Sequence, residues 1–307
     1  MNYTVIKALN NYFLKSNKVY LQNFLIFLKR KVNFIKDQQQ IYCIKNLIKG
    51  DLDELFCLYQ PKLNLKDNSI SEFEALARIK YMDRIISPVI FIPLAEKINL
   101  IHKIDYKIIE LNMKLILKLL EEDGYKNLLN IKIAINISIK TLERSDFIFK
   151  ITQLLKKYNL DGKYFEIELI ETISIKDFNL FYNKIIELKK LGIDVSLDDF
   201  TAGFSSFYIL ALIPISKIKI DKSLLANYNT IKGEIIYTRL IKLLNSLKLD
   251  IVAEGIETDI QLEFLKKQKI QYAQGYLIGK PDSIEKFYNI KNYSKYKKGN
   301  IDVKYFK

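Results

Sequence analysis

Apolar residues along this chain fall into two rhythms, short uninterrupted or alternating runs and longer segments where they recur every three or four positions. The short runs predict β-strands at Leu55 to Tyr59, Glu72 to Leu76, Ile131 to Ile137, Phe165 to Ile170, Asp194 to Leu197, Lys217 to Ile220, Ile251 to Ala253 and Gln271 to Ala273. Between them lie amphipathic helices. One carries Ile108, Leu111, Leu115 and Leu119 before Glu121-Glu122-Asp123-Gly124 stops it, and Gly162 and Gly192 punctuate turns from helix to strand. Strand followed by helix, repeated, predicts parallel β/α architecture. Only about ten residues separate the first two strands, too few for a crossover helix, so that pair is expected to be antiparallel. The fold class is α/β: a TIM-like (β/α)8 barrel with an antiparallel first strand, for which roughly 250 residues suffice.

Most of these strands finish on an acid, an amide or a lysine. Glu74, Asn136, Glu168, Asp198-Asp199, Lys219 with Asp221, Glu254 with Glu257, and Gln274 follow one another at strand ends, with Glu171 just beyond the fourth strand. Barrel sites form at the C-terminal ends of the strands, so these side chains converge. Carboxylates crowded together do not all ionise without compensation, and divalent cations supply it. Ligands made only of oxygen favour Mg²⁺ or Mn²⁺ over zinc. Two such ions bridged by one carboxylate would make a clamp for cleaving a phosphodiester, with a nearby lysine orienting a water or stabilising charge.

Composition modifies this reading only slightly. The 307 residues carry a formal charge of +14, which invites a nucleic-acid or membrane partner. Abundant Ile, Lys, Asn, Tyr and Phe, with no Trp, instead suggest a coding bias toward A and T, and no ordered basic-aromatic motif points to specific nucleic acid binding. Cys43 and Cys57 offer neither a disulfide framework nor a zinc spacing, so a reduced, cytoplasmic setting is expected. His102 is the only histidine and is expected at a surface or helix start, which leaves no histidine chemistry to invoke.

Three segments are expected: a basic helical segment at 1–43, the barrel at 44–288 and a basic tail at 289–307. In the first, Tyr20, Leu21, Phe24, Leu25, Phe27 and Leu28 suit one helical face followed by Lys29-Arg30-Lys31, a surface for weak contact with a protein or an anionic membrane. The apolar run there is far short of the roughly 20 residues that span a bilayer. The tail mixes Lys295, Lys297, Lys298, Lys304 and Lys307 with Tyr293, Tyr296 and Tyr305.

Taken in order, the motifs resemble the EAL domain family, bacterial phosphodiesterases that linearise cyclic di-GMP. The likeness runs from about Ile44 to Tyr288 through Tyr59-Gln60-Pro61, Glu74-Ala75-Leu76 with Arg78, Phe91-Ile92-Pro93-Leu94-Ala95-Glu96 and Asn136-Ile137-Ser138. It continues through Glu168-Leu169-Ile170-Glu171, Asp198-Asp199-Phe200, Lys219-Ile220-Asp221-Lys222-Ser223, Glu254-Gly255-Ile256-Glu257-Thr258 and Gln274-Gly275-Tyr276.

The resemblance implies that Glu74, Asn136, Glu168 and Asp198 hold one metal and Asp198, Asp199 and Glu254 the second. It implies that Lys219 positions or helps deprotonate the nucleophilic water, that Asp221 supports Lys219 and the metal waters, and that Glu171 and Glu257 brace the site. Arg78 suits a phosphate through its guanidinium fork, with Gln60, Gln274 and Pro281 along the nucleotide cleft. The implied function is hydrolysis of cyclic di-GMP to linear pGpG by a homodimer using two Mg²⁺ or Mn²⁺ ions. Two residues depart from the family pattern: Thr201 stands where glycine usually follows Asp-Asp-Phe, and Ile170 where threonine is common. The alternative is therefore an EAL domain of weak or no activity that binds cyclic di-GMP as an effector or interaction module.

Overall fold

The computed structural model describes residues 41–121, 131–170, 178–200, 210 and 212–287. The amphipathic run at 20–28, the helix stop at Gly124, Glu171, Thr201-Ala202 and the tail at 289–307 lie outside the described residues. The chain divides into two compact units, Met1–Leu52 and Asp53–Lys307. Of the first, residues 41–49 are described as helix.

The second unit is a barrel. β1 (Leu55–Asn64) and β2 (Ile70–Tyr81) form an antiparallel hairpin, as their short separation required. Side chains shape the turn: Asn64 Oδ1 accepts from the Lys66 amide and Asp67 Oδ1 from the Ser69 amide. β2 then folds back into β3 (Arg84–Ile86), a short strand on no run that alternation would pick out. Six parallel strands follow: β4 (Lys132–Ile137), β5 (Phe165–Ile170), β6 (Asp194–Phe200), β7 (Lys217–Ile220), β8 (Asp250–Ala253) and β9 (Tyr272–Gln274). β9 pairs antiparallel with β1, Lys62 opposite Gln274, and this closes an eight-stranded barrel from which β3 projects.

Around it, in chain order, run α1 (Pro88–Lys97), α2 (Ile101–Glu121), α3 (Ile139–Leu142), α4 (Phe147–Tyr158), α5 (Phe178–Lys190), α6 (Lys222–Leu225), α7 (Ile231–Ser246) and α8 (Asp259–Lys267). His102 lies at the start of α2. The buried face of α2 carries Ile104, Ile108, Ile109, Met113, Ile116 and Leu119, whereas Leu111 and Leu115 sit half-buried at its margin. Gly192, at φ +80°, lets α5 turn into β6 through a conformation that a Cβ would strain.

The apolar core lies between strands and helices. Phe73, Ile133, Ile135, Ile167, Leu169, Val195, Leu197, Ile218 and Ile220 are buried, as are Phe147, Ile151, Phe181, Ile185, Leu188, Tyr237 and Leu244 of the helices. Because successive strand residues alternate between faces, this arrangement commits the intervening residues to the barrel interior. Most of those residues are polar, Ala134 and Val252 being exceptions. No helix among the described residues is long and apolar enough to cross a membrane.

Candidate functional site

Two rows of polar side chains fill the barrel, one above the other, because several strands carry polar residues at positions i and i+2. The pairs are Glu72 and Glu74, Glu166 and Glu168, Ser196 and Asp198, Lys217 and Lys219, and Tyr272 and Gln274. β1 runs the opposite way, so its pair is inverted: Gln60 registers with Glu74 and Lys62 with Glu72. Barrel interiors are ordinarily filled by branched aliphatic side chains, so an ionic filling needs a physical account.

The lower row is balanced. Lys217 Nζ lies 2.5 Å from Glu72 Oε2 and 2.6 Å from Glu166 Oε2, while Lys62 Nζ lies 3.3 Å from Glu166 Oε1. Ser196 Oγ donates to Glu166 Oε1 at 2.9 Å, and the Lys217 ammonium rests over the Tyr272 ring. Burial alone would raise the Glu166 carboxyl and lower both ammoniums. The opposite charges outweigh burial, leaving Glu166 below and Lys62 and Lys217 above their ordinary values.

The upper row, at the C-terminal ends of the parallel strands, is not balanced. A single ammonium, Lys219 Nζ, meets Glu74 at 3.2 Å, Glu168 at 2.9 Å, Asp198 at 2.9 Å and Glu254 at 2.8 Å. Burial would lower Lys219, but these carboxylates hold it well above the lysine value. Asp198 is raised well above the carboxylate range by burial and by Glu168, Glu254 and Glu74, and Glu254 is raised by burial and Glu74. Glu74 goes the other way: burial would raise it, yet Lys219, Lys62 and hydrogen bonds from Gln274 and Asn136 bring it to about 2. Gln274 Nε2 donates to Glu74 Oε2 at 2.6 Å and Asn136 Nδ2 to Glu74 Oε1 at 2.8 Å.

Local backbone explains how neighbouring Asp198 and Asp199 serve one site. In a regular strand their side chains would point to opposite faces. Here three steps along β6, Leu197 to Phe200, match two along β7, Ile218 to Ile220, and Asp199 adopts φ +54°. That extra residue is a β-bulge, and its left-handed turn brings Asp199 to the same side as Asp198. Oxygens of Glu74, Glu168 and Asp198 lie within 4.8 Å of one another, as do those of Asp198, Asp199 and Glu254. Asp198 is common to both triads.

These groups fit divalent cations. The donors are hard oxygens, the carboxylates outnumber the single ammonium among them, and the Gln274 Oε1 atom is buried without a hydrogen-bond partner. Asn136, whose Nδ2 is engaged with Glu74, could offer its oxygen to a cation as well.

Supporting groups fix the loops around this centre. Ser138, two residues after Asn136, caps α3 and donates Oγ to the buried Asp105 Oδ2 at 2.7 Å, whose carboxyl burial raises to about 6. Asp221 caps α6 by accepting from the Ser223 amide through Oδ1. Gly255, at φ +68°, lies against the Lys222 side chain where a Cβ would sit 2.4 Å from it. Glu257 is exposed, and its amide donates to Gln261 at the capping box of α8. An open cleft above the carboxylates is lined by Gln60, Glu74, Asp221, Lys222, Glu254, Gly255, Glu257, Gln274, Gly275 and Tyr276. Arg78 and Pro281 are half-buried and do not line it, although Arg78 lies within electrostatic reach of Glu74 and Tyr276.

Residues 45–281 match the sequence pattern of the EAL domain. The chain belongs to the EAL domain family. Among its relatives, the cyclic di-GMP phosphodiesterase PA2567 of Pseudomonas aeruginosa is 30% identical over 234 residues, 76% of this chain and 39% of that protein. The signaling protein YkoW of Bacillus subtilis is 32% identical over 237 residues, 76% of this chain and 29% of that protein. The chain thus spans only about a third of the length of such relatives. Among solved structures, the EAL enzyme Bd1971 with cAMP and cyclic di-GMP bound superposes with a TM-score of 0.74 at 28% identity, covering 84% of this chain and 69% of that one. PaMucR phosphodiesterase in complex with c-di-GMP gives 0.71 at 28%, covering 80% and 99%.

The sequence reading missed the lower row. Its signal was present: in Glu72-Phe73-Glu74, Glu166-Ile167-Glu168 and Lys217-Ile218-Lys219 the polar residue two before each strand-end residue shares its face.

Proposed function

We propose that this EAL domain is a metal-dependent phosphodiesterase that opens cyclic di-GMP to linear pGpG. The reading rests on one observation: two oxygen-only triads share Asp198 beneath a cleft in a domain whose relatives include cyclic di-GMP phosphodiesterases. Glu74, Asn136, Glu168 and Asp198 would hold one Mg²⁺ or Mn²⁺ ion, and Asp198, Asp199 and Glu254 the other. Bound cations would supply Lewis acidity and a water acidified enough to attack phosphorus.

The remaining work falls to side chains. Lys219 keeps its proton under the pull of its carboxylates, so it orients the attacking water and steadies negative charge on the phosphate. Glu74 is pinned by Gln274 and Asn136 and presents a fixed ionised edge. Gln60 and Gln274, themselves linked at 3.2 Å, line the cleft toward the nucleotide, and Arg78 is offered as a phosphate contact from its rim. Asp221 would support Lys219 and the metal waters, and Glu171 and Glu257 would brace the site. The setting proposed is cytoplasmic, with a homodimer as the assembly and the basic segment at 1–43 as a peripheral contact with protein or membrane.

The test is incubation of purified protein with cyclic di-GMP and Mg²⁺ or Mn²⁺ beside Glu74→Ala, with chromatography for pGpG. Product from the wild type alone is expected. Retained micromolar binding with no turnover under either metal would overturn hydrolysis and leave an effector, the reading that Thr201 after Asp198-Asp199-Phe200 favours.

A further inference from the structure

We propose that Lys62 is a positioning residue that holds Glu168 in the orientation a cation needs, an inference that rests on the cation-site reading above. Lys62 Nζ lies 2.7 Å from Glu168 Oε1, and Lys219 Nζ lies 2.9 Å from Glu168 Oε2. The two carboxylate oxygens are therefore divided between two lysines. One is turned down into the barrel, and Oε2 alone faces the upper row, which makes Glu168 a ligand through a single oxygen.

Lys62 is itself prevented from following a cation upward. Its second partner, Glu166 Oε1 at 3.3 Å, belongs to the lower row and is anchored there by Ser196 and Lys217. The Lys62, Glu166 and Glu168 side chains are all 0% exposed, so water cannot substitute for any of these contacts. β1 is what makes the contact available: running antiparallel between β2 and β9, it places Lys62 level with Glu72, one row below the carboxylates that Lys219 gathers. Buried ion pairs contribute little net stability compared with apolar filling of the same volume, so fixing an orientation is the more economical account of Lys62. Groups that orient a metal ligand are worth about 10–100-fold in metal affinity.

The experiment is a Mn²⁺ titration of the full chain, followed by electron paramagnetic resonance of free and bound ion. It compares wild type, Lys62→Met and the double variant Lys62→Met with Glu166→Gln. The double variant keeps the net interior charge of the wild type while removing the Glu168 contact. Lys62→Met alone leaves Glu166 and Glu168 short of a counter-charge, and a lower melting temperature is expected of it.

The expected result is a double variant that melts within a few degrees of wild type, binds one of two Mn²⁺ ions about 10–100-fold more weakly, and loses kcat with KM for the nucleotide unchanged. Wild-type affinity in the double variant would show that Lys62 only balances charge, and would overturn the proposal. Loss of the folded barrel in both variants would overturn it as well, by making Lys62 a determinant of the whole fold. A wild type that binds no Mn²⁺ sinks the cation-site reading and this inference together, whereas equal binding by wild type and double variant sinks this inference alone.

Discussion

The lower and upper rows of the barrel interior are built from the same residue types on the same strands, yet they do opposite things with charge. In the lower row, Lys62 and Lys217 stand against Glu72 and Glu166, and every ion has a partner within 3.3 Å. In the upper row, Lys219 stands against Glu74, Glu168, Asp198 and Glu254, with Asp199 beside them and only Lys62 reaching up from below, to Glu168. A neutral buried cluster needs no cation from outside to complete it. An interior with surplus negative charge is costly unless something cationic enters, so the imbalance, more than the presence of acids, marks the upper row as the candidate site.

The hardest blow to that distinction falls on Asp198, the carboxylate common to both triads. Asp198→Ala should lower turnover of cyclic di-GMP on the order of 10³-fold, the scale set by loss of a preorganised charge-stabilising group. The chromatographic assay reads the rate, and Mn²⁺ titration should show both ions weakened together. An Asp198→Ala enzyme within tenfold of wild type would mean the triads do not act as one centre.

Breaking the lower row should instead damage stability. Lys217→Met strands Glu72 and leaves Glu166 with Lys62 alone, and removal of one partner from a buried ion pair costs about 3–5 kcal/mol. Urea unfolding should register that loss. Lys217→Met combined with Glu72→Leu should recover most of it, since Lys62 and Glu166 then remain in that row as a neutral pair. If stability does not recover, the row does more than neutralise itself.

Cation binding gives a smaller effect of opposite sign. Mn²⁺ at 100 times its dissociation constant should stabilise the wild type by about 2.7 kcal/mol, seen as a rise in melting temperature that a chelator reverses. Lys217→Met should keep this increment and Asp198→Ala should lose it. Equal increments in both variants would erase the functional difference between the rows.

The smallest expected signal is a slope with pH. Asp198 and Glu254 have raised carboxyls in the folded state, so the folded chain binds protons more tightly than the unfolded one. The stability these two groups contribute to the metal-free protein is therefore fully present below the ordinary carboxylate range and is lost as pH rises through the folded values, whereas Glu74, lowered to about 2, contributes in the opposite direction. Glu166, held low by the cations of its own row, changes stability only at more acid pH and in the opposite direction. Asp105, raised to about 6, adds a falling component with or without metal. The difference between urea midpoints with chelator and with Mn²⁺, followed from pH 4 to 8, should isolate the upper row. Parallel curves would argue that its carboxylates are not the groups that meet the cation.

Much of the barrel was legible because its apolar face obeys a period of two. Phe165–Ile170 and Lys217–Ile220 coincide with the strands read from alternation. The first hairpin was underestimated. β1 continues through Pro61 to Asn64, a place where a missing amide normally argues against a strand. It is tolerated because pairing with β9 begins only at Lys62. β3 was invisible: three residues after a turn at Met82-Asp83 carry neither an apolar run nor a glycine or proline signal. The ordered strand-end residues pointed to one oxygen-rich centre, and all of Glu74, Glu168, Asp198, Asp199 and Glu254 meet there.

By itself, then, the sequence determined the alternation that builds the barrel, the antiparallel start that follows from a short connection, and the oxygen-only chemistry of the strand ends. These depend on residue type and on spacing within a few positions, which is local information. Only the tertiary structure decided which member of each polar pair stands in the neutral row and which in the charged one, because that depends on strand stagger and on the reversed direction of β1. Only the tertiary structure turned Asp199 toward Asp198, through one extra residue in β6 that alternation alone assigns to the wrong face. Whether a buried acid is neutralised or left in surplus is a sum over strands distant in sequence, and that sum separates the scaffold from the site.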